Sequence, residues 1–273
     1  MAHSVTRLLV GLAAAAAVAV LAVRSRSLSR GGAVAATVVG TLAVGAGWSW
    51  GVLLLAFFVS SSALSRLGAA TKDARVSGVV EKGGARDGVQ VLANGGIFAL
   101  AALILLVMRN SSAVPSSTGA LTALGAGALA ASASDTWATE VGTLLGGAPR
   151  SILSGRRVLP GTSGGVSLAG TLAALAGAAF VAAVAALAGW PPLVCMAAIV
   201  GGVIGSTLDS LLGATLQTRR WCEHCDRATE RERHDCGRST RHIGGMEWFG
   251  NDAVNAVSSA AGGLAAMLIA LSA

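Results

Sequence analysis

The sequence predicts an all-α fold, a polytopic integral membrane bundle of about eight transmembrane helices, and three observations support this prediction. The 273 residues have a mean hydropathy of +0.69, and only 12% of them are charged. Soluble domains contain about 25% charged residues. Several apolar runs approach the roughly 20 residues that cross a bilayer, and the basic residues gather on one side of these runs. A soluble all-helical core does not fit this composition.

Eight apolar segments follow one another between charged or turn-forming connections. The first, RLLVGLAAAAAVAVLAV, also fits a signal peptide that is cleaved. The stronger basic cluster, RSRSLSR, follows this run, which favours an uncleaved span with its N-terminus outside. In chain order, the predicted spans cover residues 8–23, 32–47, 49–65, 89–108, 117–133, 164–188, 191–216 and 248–271.

Charge predicts the orientation of the bundle. Eighteen of the 20 basic residues lie in the connections after spans one, three, five and seven, and only Arg7 and Arg109 lie on the opposite side. The positive-inside rule makes the basic side cytoplasmic and places both termini outside. All 13 acidic residues also fall on the basic side, so we expect the chemistry there. Tryptophans are expected at both interfaces: Trp48, Trp50 and Trp190 outside, and Trp137, Trp221 and Trp248 inside.

Polar stripes mark the cytoplasmic ends of four spans. Residues three, four or seven positions apart share one face of a helix. Ionisable groups at membrane depth are costly and are therefore candidates for function. The stripes are Asp87, Gln90 and Asn94; Asp135, Thr139 and Gly142, with Glu140 about 140° away; Gly202, Ser206, Asp209, Gly213 and Gln217; and Asp252, Asn255 and Ser259.

Three interpretations of the aspartates remain open: metal and phosphate chemistry, ion or proton coupling in a transporter, and structural pairing between helices. Structural pairing suits Ser and Thr, but each buried carboxylate needs a partner. Because the spans contain almost no Lys or Arg, a bound cation is favoured. Carboxylate, amide and hydroxyl oxygens suit Mg²⁺, which typically bridges to substrate phosphates.

Two cytoplasmic loops have the composition of a phosphate-binding site. Gly-rich backbone can present N–H groups to phosphate oxygens, and arginines pair with them in a bidentate manner. Both loops lack the Walker A pattern, and a flexible basic loop is the alternative. The candidate side chains are Arg150, Arg156 and Arg157 in residues 146–165, and Lys72, Lys82 and Arg86 in residues 71–88.

A Cys/His loop, residues 218–245, is inserted between helices seven and eight of the single transmembrane domain, 1–273. Its Cys-x-x-Cys pair followed by His and Cys has the spacing of zinc ligands. A cytoplasmic location keeps thiols reduced, which favours a metal over a disulfide. Incidental thiols or a redox pair are the alternatives. The candidate zinc ligands are Cys222, Cys225, His234, Cys236 and His242.

Six motifs resemble, in order, those of an integral membrane family long of unknown function that includes the plant chloroplast phytyl-phosphate kinase. They are TKDARVSGVVEKGGARDGVQVLANGG, ASASDTWATEVGTLL, PGTSGGVSLAGT, GSTLDSLLGATLQ, the Cys/His loop and NDAVN. The resemblance covers roughly residues 30–270. It implies a membrane kinase that acts on an isoprenyl lipid.

A more distant resemblance to dolichol and phytol kinases implies roles for single residues. The segment SDTWATEVG, the RR pair and PGTSGGVSLAGT are similar to the nucleotide-binding region of those enzymes, which use CTP. The match implies that Asp135 corresponds to the aspartate of that nucleotide-binding region. It also implies that NDAVN supplies an Asp–Asn pair, Asp252 and Asn255. It also implies nucleotide contacts from Arg156, Arg157, Thr162, Ser163 and Gly164.

The resemblance therefore implies phosphoryl transfer from a CTP-like nucleoside triphosphate to an isoprenyl (phytyl, geranylgeranyl or farnesyl) monophosphate. Mg²⁺ would bind Asp135, Asp209 and Asp252, while arginines and Lys82 neutralise the phosphate oxygens. An alcohol acceptor would need a base such as Asp87 or Glu140. Alternatives are an isoprenyl alcohol kinase, a CDP-lipid cytidylyltransferase and an ion-coupled transporter.

The expected partners are the membrane and the isoprenyl lipid, with no role for nucleic acid, and homo-oligomerisation is left open. In a bacterium or archaeon the protein is expected in the plasma membrane, because all its large loops are predicted to be cytoplasmic.

The predicted orientation can be checked by cysteine labelling. After Ser112→Cys, a membrane-impermeant thiol reagent added to intact cells should label position 112, because the connection between spans four and five is predicted to lie outside. Cys222 and Cys225 should react only after the cells are permeabilised and treated with a chelator. Labelling of these native thiols in intact cells would contradict the orientation.

Overall fold

The structure, a computed structural model, describes residues 2–76, 79, 84–110 and 118–273. It confirms the predicted membrane helix bundle. Six of the described helices are long and apolar enough to cross a membrane by length and composition. A seventh apolar helix, α2, has 17 residues, and α6 has 28. The helices are α1 (Ala2–Arg24), α2 (Arg30–Ala46), α3 (Trp48–Arg66), α4 (Ala69–Val76), α5 (Gly88–Asn110), α6 (Thr118–Leu145), α7 (Leu168–Leu187), α8 (Pro192–Thr215) and α9 (Asn251–Ser272).

The eight long helices follow the eight predicted segments, with α4 as a short addition in a loop. Local signals explain several of the helix starts. The hydroxyl groups of Ser29 and Ser167 accept hydrogen bonds from Gly32 and Gly170 and so cap α2 and α7. Pro192 stands at the first position of α8, where its missing N–H group costs nothing.

The described residues contain five short strands, all in the connections, where the sequence predicted none. β1 (Arg150–Ser151) pairs antiparallel with β2 (Gly165–Val166). β3 (Arg219–Cys222) lies between β4 (Arg227–Thr229) and β5 (Arg241–Gly244), and both pairings are antiparallel. These strands belong to the connections α6–α7 and α8–α9. Together with the connection α3–α5, these two define what we call the loop end of the bundle.

Helix α6 is the centre of the bundle and packs against α3, α5, α7, α8 and α9. It was predicted to end at residue 133 but continues to Leu145. Its 28 residues are about 42 Å long at 1.5 Å per residue, whereas the hydrocarbon core of a bilayer is roughly 30 Å thick. The last turns of α6 therefore extend among the loops.

Glycine and alanine bring the helices of the bundle close together. A Cβ atom added at Gly201 of α8 would lie 2.3 Å from the carbonyl oxygen of Gly262 in α9. One added at Gly127 of α6 would lie 2.6 Å from the same oxygen. Small residues allow this approach, which compensates for the weak hydrophobic drive between helices in lipid.

Two of the three tryptophans predicted to form the outer aromatic belt are instead buried inside the bundle. Trp50 and Trp190 are 2% and 7% exposed, and their ring centroids lie 5.2 Å apart. Phe98 packs on Trp50 at 4.9 Å. These rings fill the space between the helices at the end opposite the loops, because the Gly/Ala-rich helices supply little side-chain volume of their own. Trp48 is exposed, as predicted.

The packing can be tested with a matched pair of Gly→Ala variants. Gly201→Ala should destabilise the protein by about 1–3 kcal/mol, because the new methyl group overlaps the Gly262 carbonyl. Gly96→Ala, also in a helix interior, meets no atom within 4 Å and should not lower stability. Thermal unfolding in detergent measures both, and equal effects would show that close packing at Gly201 is not the cause.

Candidate active site

A cavity of about 1100 Å³ opens at the loop end of the bundle. Its walls come mainly from α3, α4, α6, α7 and α8 and from the three long connections, with Gln90 of α5 and Asn251 of α9. Most members of two predicted stripes line it. The α6 members are Asp135, Thr139 and Gly142; the α8 members are Ser206, Asp209 and Gly213, and Gln217 follows the helix. Gly202, the remaining member of the α8 stripe, is not among the lining residues.

Two carboxyl groups meet in this cavity. A Cβ atom added at Gly205 of α8 would lie 2.4 Å from the Cβ atom of Ala131 in α6, so these helices nearly touch. One turn closer to the loop end, Asp135 and Asp209 both line the cavity, and their side chains are close enough to interact electrostatically. The Oδ2 atom of Asp209 is buried and has no hydrogen-bond partner in the described structure.

Neither aspartate forms an ion pair with a described lysine or arginine. Two carboxylates that lie close together and are only partly exposed to water repel each other, so a shared proton or a bound cation stabilises them. Asp135 and Asp209 present an all-oxygen donor set of the kind that Mg²⁺ prefers. The geometry fits a hard divalent cation.

A half-buried arginine, Arg86, faces the same cavity. The Arg86 guanidinium donates to the hydroxyl oxygens of Ser62 (3.2 Å) and Ser65 (3.1 Å). Burial lowers the pKa of Arg86 from its ordinary value, and the charge of Glu140 opposes that change. No described carboxylate forms a salt bridge with Arg86. This guanidinium can therefore pair with an anionic ligand.

Lys72 and Glu140 line the cavity and form an ion pair, which gives both a structural role that the sequence did not predict. The Lys72 ammonium is 7% exposed and donates to a Glu140 carboxylate oxygen and to the carbonyl oxygens of Leu64 and Ser65. It thereby binds the last carbonyls of α3. The Ser65 hydroxyl donates to the other Glu140 oxygen at 2.5 Å. This pair fixes α3 and α4 against α6, and each charge is already compensated by the other.

Asp87 caps a helix, which also corrects its prediction as a catalytic group. Its Oδ1 atom accepts from the Gln90 N–H group at 2.9 Å, and the Gln90 side-chain oxygen accepts from the Asp87 N–H group at 3.0 Å. This reciprocal pair is a capping box at the start of α5. The Asn94 amide donates to the backbone carbonyl of Gln90. Of the stripe formed by Asp87, Gln90 and Asn94, only Gln90 lines the cavity.

The glycine-rich loop before α7 forms another wall of the cavity. Thr162, Ser163 and Gly164 line it, as predicted. Gly164 has φ +76, and a Cβ atom there would lie 2.4 Å from Cβ of Ala214, so only glycine fits against α8. The N–H groups of Ser163 and Gly164 donate no hydrogen bond within the described structure. They are therefore available to phosphate oxygens.

Several other predicted residues lie away from the cavity. Arg156 and Arg157 have exposed side chains and do not line it; their backbone turns back onto β1, where Arg157 pairs with Arg150. Asp252 and Asn255 are also not among its lining residues, whereas Asn251 is. Lys82 lies outside the described residues.

Glu230 is a cavity residue that the sequence did not predict. It directly follows β4 and is 8% exposed. The Ser163 hydroxyl donates to its carboxylate. In the sequence Glu230 belongs to the charged run ATERERHD, which is typical of a solvated loop, so no local signal distinguished it.

Four of the five predicted zinc ligands come together at the loop end. The ligand atoms of Cys222, Cys225, His234 and Cys236 all lie within 4.8 Å of one another. The backbone N–H group of Arg238, with a contribution from His234, lowers the pKa of Cys236 to about 6. His242, on β5, is not part of this group.

The cavity also reaches the outer surface of the bundle between α7 and α8. Its lining includes Leu172, Leu175 and Val203, which are 58%, 51% and 38% exposed. The cavity thus joins a polar floor at the loop end to an apolar mouth formed by exposed side chains of α7 and α8.

The family model for the integral membrane protein family DUF92 matches residues 13–263. The chain belongs to the DUF92 family. Protein PGR of Arabidopsis thaliana is 31% identical over 270 residues, with 92% of each chain covered. Protein VTE6, chloroplastic, of the same plant is 27% identical over 89% of this chain and 65% of that protein. An uncharacterized membrane protein of Methanocaldococcus jannaschii, MJ0933, is 29% identical over 80% of this chain and 86% of its own length. No solved structure matches the chain.

In this DUF92 protein the Lys72–Glu140 pair can be tested by a double-mutant cycle. Lys72→Met should destabilise the fold by roughly 3 kcal/mol, because it leaves the Glu140 carboxylate without its cation. Adding Glu140→Gln should restore most of that loss. Denaturant or thermal unfolding in detergent measures the cycle. Additive losses in the double variant would show that the two side chains do not stabilise each other.

Proposed function

We propose that this protein transfers a phosphoryl group from a nucleoside triphosphate, with CTP favoured, to an isoprenyl monophosphate held in the membrane. The observation that carries the proposal is the shape and chemistry of one cavity. Its floor combines neighbouring carboxyl groups, a half-buried arginine and a glycine- and hydroxyl-rich loop, and its mouth lies among exposed leucines. A lipid with a phosphate head group matches both parts.

The polar floor supports the binding of a triphosphate. Asp135 and Asp209 would hold Mg²⁺, which bridges phosphate oxygens and neutralises charge as the phosphoryl group moves. Arg86 would pair with phosphate oxygens from the opposite wall, in the role first expected of Arg156 and Arg157. The backbone N–H groups of Ser163 and Gly164 would bind further oxygens.

The reaction needs positioning rather than a protein base. An oxygen of the acceptor monophosphate attacks the γ-phosphorus of the nucleotide, the bond from that phosphorus to the bridging oxygen breaks, and the nucleoside diphosphate leaves. The second pKa of a monophosphate is near 6, so the acceptor is already ionised at neutral pH. The engagement of Glu140 and Asp87 in other contacts favours this acceptor over an alcohol.

Relatives add support at the level of the family. The motifs resemble those of the family that includes the plant chloroplast phytyl-phosphate kinase, and protein VTE6 of chloroplasts matches over most of this chain. The one-sided distribution of basic residues supports a cytoplasmic active site.

Asp135→Asn tests the role of the carboxyl pair. As a metal ligand, Asp135 should be essential, and turnover should fall by orders of magnitude. Folding should be unharmed or slightly improved, because a costly desolvated carboxylate is gone. Turnover and thermal unfolding should be measured on the same detergent preparation, with exposed Arg157→Gln as a control expected to keep activity. Early unfolding of Asp135→Asn would indicate a structural role, and near-normal turnover would remove it from the site.

The reaction class is tested by the products. Purified protein with Mg²⁺ and each labelled nucleotide should be offered phytyl, geranylgeranyl and farnesyl alcohols and monophosphates. A prenyl diphosphate and a nucleoside diphosphate are expected. Release of pyrophosphate with a CDP-lipid would instead identify a cytidylyltransferase, and phosphorylation of alcohols alone would identify an alcohol kinase.

A further inference from the structure

The thiol and imidazole group at the loop end has the dimensions of a metal site. The Sγ atoms of Cys222 and Cys236 are 3.7 Å apart. Two thiolates on one tetrahedral zinc ion, with Zn–S bonds of about 2.3 Å, are separated by about 3.8 Å. A disulfide would need about 2.05 Å. All four ligand atoms lie within 4.8 Å of one another, which leaves room for one central ion.

The small sheet brings the ligands together from two turns. Cys222 ends β3, and Cys225 lies in the turn to β4, next to Asp226 with φ +49. His234 and Cys236 lie in the connection from β4 to β5, where the His234 N–H group donates to the Arg238 carbonyl at 2.9 Å. Two turns that each supply two ligands are a common frame for structural zinc.

The segment around the sheet contains little apolar material to hold it together. Its buried residues between 219 and 244 are Arg220, Cys222, Thr229, Glu230 and His234. The imidazole of His234 is 6% exposed, and its Nε2 atom has no hydrogen-bond partner in the described structure. A structural metal supplies folding free energy to such a segment. The seven arginines of residues 219–241 also suit a site with three thiolates, whose charge exceeds that of Zn²⁺ by one.

We propose that Cys222, Cys225, His234 and Cys236 bind one zinc ion and that this ion holds Glu230 in the wall of the cavity. Glu230 lies directly after β4, between the two ligand turns. Its N–H group donates to the Val79 carbonyl at 2.9 Å, and its carboxylate accepts from Ser163. Arg231 and Asp235 of the same segment also line the cavity. The zinc site thus organises one wall, whatever reaction the cavity performs.

Metal analysis of the purified full-length protein tests the binding site without an activity assay. We expect about one zinc per chain and an intense thiolate–cobalt absorption after exchange with Co²⁺. Cys222→Ser should lose the metal. His234→Cys, which keeps four ligands, should retain it, and so should Cys195→Ser, whose thiol is buried in α8. Protein that binds no zinc after reloading, or equal zinc in Cys222→Ser and Cys195→Ser, would overturn the proposal.

Hydrogen exchange tests the connection to the cavity. Comparing Cys222→Ser with Cys195→Ser, we expect roughly tenfold faster amide exchange in residues 219–244. Residues 161–165, which carry Ser163, should also exchange faster, whereas α9 should not change. Loss of zinc without any effect on residues 161–165 would show that the ion does not position Glu230 against the loop. Neither readout depends on prenyl-phosphate kinase activity. A failure of the proposed kinase function can therefore be distinguished from a failure of the proposed zinc site.

Discussion

The close approach of α6 to α8 is the contact on which the arrangement of the cavity depends. Ala131 and Gly205 leave no space for a larger side chain between these helices. Both helices run toward the loop end, so the residues one turn further along, Asp135 and Asp209, are brought close together as well. The separation of the two carboxyl groups is therefore determined by backbone packing of small residues rather than by flexible loops. Such a rigid support suits a site that must hold two charges at a defined distance.

The loop end separates structural charges from charges that face the cavity. Lys72 and Glu140 compensate each other and bind the end of α3 to α6. Asp87 closes the start of α5. Removing these groups from the list of reactive side chains leaves Asp135, Asp209 and Arg86 as the main candidates, because the described structure gives none of them a salt-bridge partner.

The sequence predicted the elements that depend on local pattern and missed those that depend on distant contacts. Apolar runs located all eight long helices, and helical spacing placed Asp135 and Asp209 on cavity-facing stripes. The partnership of Lys72 with Glu140 joins residues 68 positions apart, so nothing near either residue indicates it. Arg156 and Arg157 looked equivalent to Arg86 by composition, and only the fold shows that they are exposed while Arg86 is half-buried and lines the cavity. Glu230 lies in a charged run, and its contact with the distant Ser163 cannot be recognised from the local sequence.

The apolar mouth between α7 and α8 determines how the concentration of each proposed ligand should be expressed. The proposed lipid substrate, entering beside Leu172 and Leu175, would never leave the bilayer, so its supply would depend on its mole fraction in the membrane and on diffusion in two dimensions. The proposed nucleotide would reach the polar floor from water, and its supply would depend on ordinary molarity. The two proposed ligands would therefore arrive by separate routes and need not compete for entry. Diluting the bilayer with inert lipid should slow the first route alone, a behaviour that a cavity with a single aqueous opening would not show.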